Sequence, residues 1–330
     1  MTNQATYENI WLHRLAKLVV AATFVLIFIG GLVTSTGSGL AVPDWPNTYG
    51  HFMFSFPISK MVGGILYEHG HRMVATVVGL LMTVLAVWVW IKEPRRWVKM
   101  FGVSALLAVI LQGVLGGITV LYLLPTAISV MHGSLAQSFF CLTICLAMFT
   151  SREWNAPPAK FQDTSQPGIF NLTLLTTGLV FMQLILGAVM RHTGAGLAIP
   201  DFPLAFGEIV PPIQTQGVAI HFLHRIGALL VSLSVVWTVF EIFRHHSGQA
   251  KLTRPAVLLV TALVVQITLA ALTIWTKKAV IPTTLHVATG AFILGNSLFL
   301  SLRAFLLLTP LAEEAIAPTA HPNHRHALEN

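Results

Sequence analysis

The sequence predicts an all-α integral membrane protein with eight transmembrane helices, arranged as two four-helix bundles related by a pseudo-twofold axis. The first observation is composition: 55% of the residues are hydrophobic and only 9% are charged, whereas about a quarter of the residues in soluble domains are charged. The second is the presence of eight apolar segments long enough to cross a hydrocarbon core about 30 Å thick. The third is a repeat that relates the first four segments to the last four.

The predicted helices share a length of roughly 20 apolar residues, which one membrane span requires. They cover about residues 15–34, 69–91, 101–121, 127–150, 170–190, 219–241, 256–276 and 281–305. A polar, proline-containing stretch separates the two sets of four helices. The predicted division is an N-terminal segment 1–14, an N-terminal bundle 15–150, a linker 151–168, a C-terminal bundle 169–305 and a polar, disordered tail 306–330.

Basic residues are distributed unequally between the two ends of the helices. Thirteen Lys and Arg residues fall on the side of the termini and the linker, and only Lys60, Arg191, Lys277 and Lys278 fall on the other side. Because cytoplasmic loops carry the excess of Lys and Arg, we predict a multi-pass protein of the cytoplasmic membrane with both termini in the cytoplasm. A net charge of +7 is compatible with nucleic-acid binding, but this one-sided distribution at the helix ends is typical of a membrane protein, so we predict no nucleic-acid partner.

A duplicated motif ends the first and fifth predicted helices. It reads GGLVTSTGSGLAVPDWP at residues 30–46 and GAVMRHTGAGLAIPDFP at residues 187–203. Downstream, two histidines recur in register, 61 positions apart in the first half and 62 positions apart in the second, and Gln112 recurs as Gln266. Four helices in each half place the halves in parallel orientation, related by an axis along the membrane normal.

The recurring histidines lie at the starts of the second, fourth, sixth and eighth predicted helices. Each is two to six residues inside its helix, so at 1.5 Å per residue all four lie within about 10 Å of one membrane face, which the charge asymmetry predicts to be exoplasmic. Structural zinc usually requires four ligands, often thiolates, whereas two imidazoles are a common ligand set of haem iron. We therefore predict iron ligation by two pairs, His71 with His132 and His224 with His286.

The two halves differ three residues before the first histidine of each pair. Glu68 precedes His71, whereas His221 precedes His224, and positions three apart share a helix face. A partly desolvated carboxylate beside haem is a candidate proton acceptor; the alternative is an acid stabilised by the helix N-terminus. The asymmetry predicts reaction chemistry in the N-terminal half and electron transfer in the C-terminal half.

Arg72 and Arg225 directly follow the first histidine of each pair. A guanidinium group binds carboxylates in bidentate geometry, so both arginines are candidates for contact with haem propionates. The alternative is an arginine that extends toward the membrane interface.

The ordered series of motifs resembles the haem A synthase family. The series is TGSGLAVPDWP, EHGHR, MHGS, TGAGLAIPDFP, HFLHR and LHVATG, and the resemblance extends from the first predicted helix to the eighth. It implies a haem O oxidoreductase that converts the C8 methyl group of haem O to the formyl group of haem A, for use in terminal oxidases. Many members carry a cysteine pair in the first loop, where this chain has Val42 and Thr48.

The resemblance also implies roles for the predicted site residues. His224 and His286 match the ligands of a haem b cofactor, with Arg225 beside it. The substrate or product haem is expected in the other half, where Glu68 matches the functional glutamate of the family. That haem is expected between His71 and His132, with Arg72 beside it. The implied partners are haem O, haem O synthase, an unidentified electron acceptor and membrane lipid, and a homo-oligomer is left open.

Two alternatives remain open from the residues themselves. A dihaem b-type cytochrome that exchanges electrons with quinone would explain four histidines and the duplication, but not the difference between Glu68 and His221. A transporter or haem-handling protein would also use a membrane site. Transporters usually place such sites near the bilayer centre, whereas these histidines are predicted near one face.

Overall fold

A computed structural model describes residues 9–310 of the chain. Eight helices in this part are long and apolar enough to cross a membrane, which confirms the predicted all-α membrane class. They are α1 (Ile10–Ser35), α2 (Gly64–Lys92), α3 (Arg96–Leu121), α4 (Thr126–Phe149), α6 (Ile169–His192), α7 (Gln216–His246), α8 (Ala250–Trp275) and α9 (Val280–Leu307). A single-turn helix, α5 (Arg152–Asn155), lies between α4 and α6.

The long helices of each half contact one another in a ring. In the first half α1 packs against α2, α2 against α3, α3 against α4, and α4 against α1; α6, α7, α8 and α9 repeat this order. The halves meet where α1 and α4 contact α6 and α9. The apolar stretch of α9 is 61% buried, compared with 22–33% in the other seven spans, because α9 packs against helices of both halves.

The interface between the halves contains an apolar cluster of its own. Ile27 of α1, Phe140 and Ile144 of α4 and Ala291 of α9 form this cluster. A Cβ atom at Gly295 of α9 would lie 2.9 Å from both Phe140 and Ile144. Glycine at this position therefore allows α4 and α9 to approach closely.

Several helices begin earlier than the hydropathy pattern predicts. The helix α2 starts at Gly64 and α7 at Gln216, five and three residues before the predicted starts. The four predicted ligand histidines therefore lie six to eight residues after the first helical residue, and not two to six. The polar residue Glu68 resembles a loop residue in the sequence, but it is buried in α2, where Val42 and Arg72 are its hydrogen-bond partners.

The segment between the halves is structured. After α5, strand β1 (Phe161–Asp163) pairs in parallel with β2 (Leu308–Pro310). The sequence predicts a disordered tail from residue 306, whereas α9 continues to Leu307 and is followed by β2, whose Leu308 is buried. The rest of the predicted tail, residues 311–330, lies outside the described residues, as do residues 1–8. The end of the molecule that carries residues 151–168 is called the linker face below.

Candidate functional site

The two repeated motifs form matching loops at the end of the molecule opposite the linker face. This end carries residues 36–63 and 193–215 and is called the motif face below. Asp44 accepts hydrogen bonds from the main-chain amides of Tyr49 and Gly50 at 2.8 and 2.9 Å, and Asp201 accepts the equivalent bonds at 2.7 and 2.8 Å. Burial alone would raise the pKa of Asp44, but the hydrogen bonds from the two amides lower this pKa overall. The equivalent amide bonds in the second loop lower the pKa of Asp201. Both carboxylates therefore act as turn formers.

An ion pair in α2 holds the first motif loop. Glu68 and Arg72 are buried, lie one helical turn apart, and their Oε1 and Nη2 atoms are 2.5 Å apart. The Oε2 atom of Glu68 accepts a bond of 2.8 Å from the amide of Val42. Arg72 donates to the carbonyl oxygens of Val42, Asp44 and Asn47 at 2.7–3.1 Å. The Nη hydrogens of Arg72 are therefore all engaged, which leaves only Nε–H without a partner among residues 9–310.

His221 and Arg225 take the equivalent positions in α7. The Nδ1 atom of His221 accepts a bond of 3.2 Å from the amide of Ile199. Arg225 donates to the carbonyl oxygens of Asp201 and Leu204 at 2.6 and 2.8 Å. Both halves thus hold their motif loop from the helix that carries the first predicted ligand, but only the first half does so with a carboxylate.

The structure brings the four predicted ligand histidines together as two pairs, one in each half. His71 lies in α2 and His132 in α4, and His224 lies in α7 and His286 in α9, so each pair comes from opposite helices of one ring. The Nδ1 atoms of three of these imidazoles, all except His224, are buried without a hydrogen-bond partner in the described part of the chain. Buried polar atoms usually have a partner, so unpaired imidazole nitrogens are a feature expected of a ligand site.

Three of the four imidazoles lie against a glycine of a neighbouring helix. The pairs are Gly30 with His71, Gly116 with His132 and Gly187 with His224, and a Cβ atom built on the glycine would be 3.1–3.2 Å from Cε1 of the imidazole. A larger residue would therefore displace the ring. These glycines are not among the site residues predicted from the sequence, although Gly30 and Gly187 are the first residues of the repeated motif.

Two matching glutamines also contact the second histidine of each pair. The Nε2 atom of Gln112 in α3 donates to the main-chain oxygen of His132 at 2.9 Å and lies 3.4 Å from its Nε2 atom. Gln266 in α8 lies 3.4 Å from Nε2 of His286. Glutamines at equivalent positions of α3 and α8 thus orient the histidines of α4 and α9.

The halves are joined at the motif face by Arg191 at the end of α6. Its Nη2 atom donates to the hydroxyl of Ser35 at 2.9 Å and to the carbonyl oxygen of Gly31 at 3.2 Å. Thr34 is the equivalent residue of the first motif, and its hydroxyl donates to the carbonyl oxygen of Gly30 in the same helix. This arginine therefore fixes the C-terminal half against α1.

An aromatic residue of each motif packs differently in the two halves. Trp45 lies against Gly117 of α3, where a Cβ atom would be 2.5 Å from the indole ring. The offset that relates Gln112 to Gln266 matches Gly117 with Ala271, and the smaller Phe202 replaces Trp45. The first motif loop is thus closed over α3, one residue from the glycine that contacts His132.

The donor set can be compared with the needs of bound iron. Within residues 9–310, no group of three or more His, Cys, Asp or Glu residues is arranged to hold a bare metal ion. Each half instead supplies two imidazoles, and within the described residues the buried Nδ1 atoms of His71, His132 and His286 have no hydrogen-bond partner. Two imidazoles are a common ligand set of haem iron, so the residues of both halves fit this group and would hold it through these histidines.

The fold and these pairs define a multi-pass membrane protein with two equivalent histidine sites. Residues 13–298, which include both pairs, match the model of the COX15-CtaA family, described as cytochrome oxidase assembly protein. The chain belongs to this family.

Curated relatives that the chain resembles are named heme A synthase. The protein of Symbiobacterium thermophilum is 32% identical over 237 residues, which cover 68% of this chain and 74% of the relative. That of Halalkalibacterium halodurans is 29% identical, with 72% and 80% covered, and that of Shouchella clausii is 27% identical, with 69% and 76% covered. The predicted family resemblance is confirmed.

Proposed function

We propose that this protein is a haem A synthase, a haem O oxidoreductase that converts the C8 methyl group of haem O to the formyl group of haem A for terminal oxidases. The observation that carries the proposal is the family match over residues 13–298, which spans both histidine pairs and Glu68. In this reaction the methyl carbon loses two hydrogen atoms and gains one oxygen atom. With water as the source of the oxygen atom, the change from CH3 to CHO releases four protons and four electrons. The electrons must therefore leave to an acceptor, which is not identified, and the protons must be taken up nearby.

We assign the two halves to different haems. His224 and His286 of the C-terminal half, residues 169–305, would hold a resident haem b, and His71 and His132 of the N-terminal half, residues 15–150, would bind the substrate or product haem. When bound, an iron porphyrin supplies the redox chemistry. The protein contributes ligands, orientation and the exclusion of water, and a membrane bundle dissolves an isoprenoid-bearing substrate.

We assign proton uptake to Glu68. It is buried, only 4% exposed, and lies on the helix face of His71. Each of its oxygens accepts one hydrogen bond, from Val42 or from Arg72, and a carboxylate oxygen retains a further lone pair for a proton. The C-terminal half has His221 at this position, which supports a division between reaction and electron transfer.

We assign to Arg72 and Arg225 the orientation of the haem edge. Both hold their motif loop through carbonyl oxygens, so they fix the loop that closes over each site. Contact of either arginine with a propionate stays a prediction. In the present arrangement Arg72 would make that contact through Nε–H.

The proposed location is the cytoplasmic membrane, with both termini in the cytoplasm and the motif face exoplasmic. The thirteen-to-four distribution of basic residues supports this orientation. The proposed partners are lipid, haem O, haem O synthase and the electron acceptor.

The test is extraction of the pigments bound to protein purified from cells that also make haem O. We expect haem B together with haem O or haem A. Two equivalents of haem B and no haem A in these cells would instead support the dihaem electron-transfer cytochrome.

For the resident haem, His224→Ala and His286→Ala should each abolish the low-spin bis-imidazole spectrum of haem B, because one remaining imidazole leaves a coordination position open. An unaltered spectrum in both variants would contradict the ligand assignment.

A further inference from the structure

One glutamine contacts the first histidine of the C-terminal pair and has no counterpart in the other half. The Nε2 atom of Gln183 donates to the main-chain oxygen of His224 at 2.8 Å and lies 3.1 Å from Nδ1 and 3.3 Å from Nε2 of the same residue. Gln183 precedes Gly187 by one turn of α6, and Gly187 contacts the imidazole. Two successive turns of α6 therefore restrain His224, one by close packing and one by hydrogen bonding.

The space for this amide is provided by a glycine of α7. A Cβ atom at Gly227 would lie at an impossibly short distance from Oε1 of Gln183 and 3.2 Å from its Cδ atom. Gly227 follows His224 by three residues and so shares its helix face. Gln183 and Gly227 thus form a matched pair, in which the amide occupies the volume of a missing side chain.

The N-terminal half has an apolar pair at the same place. The repeat offsets of 157 and 153 residues match Gln183 with Leu26 and Gly227 with Val74. Leu26 and Val74 pack against one apolar cluster, and neither side chain can donate a hydrogen bond. Packing of the histidine on glycine is retained, since Gly30 contacts His71 as Gly187 contacts His224. At the first histidine of each pair, the difference between the halves is therefore the hydrogen bond and not the packing, whereas the second histidine contacts a glutamine in both halves.

We propose that Gln183 is a positioning residue that makes the haem of the C-terminal half non-exchangeable, whereas Leu26 leaves His71 free to release the haem of the N-terminal half. Partners that orient a metal-bound histidine typically change metal affinity by about 10–100-fold. A resident cofactor requires a fixed ligand, whereas a substrate must enter and its product must leave. The assignment of the exchanging half rests on the proposed function.

The experiment measures transfer of haem from the purified full-length protein to an excess of apomyoglobin. Gln183→Met keeps the length of the side chain and removes the amide. We expect loss of haem B from the C-terminal half to become about 10–100-fold faster, with an altered low-spin spectrum. The control is Leu26→Met, which introduces the same side chain at the matching position and should leave release from both halves unchanged.

The reciprocal change transfers the pair to the N-terminal half. The double variant Leu26→Gln/Val74→Gly supplies both the amide and its space, and should slow release of the N-terminal haem by a similar factor. Unchanged haem B loss from Gln183→Met, or unchanged N-terminal release from a double variant that still melts cooperatively, would overturn the inference.

The measurement on Gln183→Met is repeated in a His71→Ala background, in which the C-terminal pair is the intact pair. Faster haem loss there supports the role of Gln183 whichever pigment the N-terminal half binds. Failure of the proposed function would appear separately, as absence of haem A from the extracted pigments.

Discussion

Glu68 and Arg72 bind the two sides of one residue in the first motif loop. The carboxylate accepts the amide hydrogen of Val42, and the guanidinium group donates to the carbonyl oxygen of Val42, both at 2.8 Å. The turn of α2 that holds this loop is also the turn that leads to His71. Loop position and ligand position are therefore coupled through a single helical turn, and substitutions of Glu68 must separate its chemistry from its contact with the loop.

Glu68→Gln keeps one acceptor oxygen for the bond from Val42 and can no longer take up a proton. Its NH2 group replaces the oxygen that accepts from Arg72, so the variant also loses the ion pair, and retained haem B content is the control for an intact loop. We expect haem A formation to fall by about 10² to 10⁴, the usual contribution of a general acid or base, while haem B content is retained. The measurement is extraction of haem A and of any alcohol intermediate from cells that make haem O. The matched variant His221→Gln should affect mainly the spectrum of the resident haem. Normal haem A from Glu68→Gln would contradict the proposed role, and an equal loss from both variants would contradict the division between the halves.

Exchange of the packing pair between the halves tests the closure of the first motif loop. Gly117→Ala places a Cβ atom against the indole ring of Trp45 and should destabilise the protein by about 1–3 kcal/mol, the usual cost of overpacking. The double variant Trp45→Phe/Gly117→Ala recreates the Phe202 and Ala271 pair and should recover most of this loss. The measurement is a double-mutant cycle of unfolding free energies. Strict additivity of the two substitutions would show that the indole ring of Trp45 and a Cβ atom at position 117 do not compete for this space.

A buried carboxylate at the linker face predicts pH-dependent stability. Asp163 is 5% exposed and accepts hydrogen bonds from Ser165, Ile169 and His246 at 2.6–3.2 Å. Burial alone would raise the pKa of Asp163, but these hydrogen bonds lower it overall. Because the folded-state pKa lies below the unfolded value of about 3.9, the carboxylate stabilises the fold above that pH and loses this effect as the pH falls through the folded-state pKa.

Asp163→Asn should therefore cost about 1–3 kcal/mol at neutral pH, the typical penalty for a disrupted buried polar group. The difference from the wild-type protein should shrink as the pH is lowered below about 4. The measurement is the unfolding free energy across this pH range. The neighbouring Gln162 is exposed in the same strand, and Gln162→Ala should be nearly neutral. A pH-independent cost for Asp163→Asn would show that ionisation contributes nothing.

Membrane orientation can be tested by cysteine labelling, because the two native cysteines, Cys141 and Cys145, both lie within α4. Lys60 is exposed at the motif face and Lys160 at the linker face. An impermeant maleimide should label Lys60→Cys in intact cells and Lys160→Cys only after lysis. The opposite pattern would reverse the orientation inferred from the basic residues.

The sequence by itself determined the membrane class, the eight spans and the register of the four histidines. A hydrocarbon core requires every span to be apolar and helical, so the spans are visible in composition. Duplication makes equivalent positions visible as well, and it identified Glu68 opposite His221 before any coordinates. The start of α2 was missed because the buried Glu68 resembles a loop residue until its partners are known.

Only the tertiary structure decided which side chains meet across helices. The bond from Gln183 to His224, the close approach of Gln183 to Gly227 and the contact of Trp45 with Gly117 join residues of different elements. These contacts depend on the rotation and depth of each helix relative to its neighbours. Hydropathy identifies a helix that spans the membrane, but it does not determine the rotation of the helix about its own axis. That rotation is set by packing against adjacent helices.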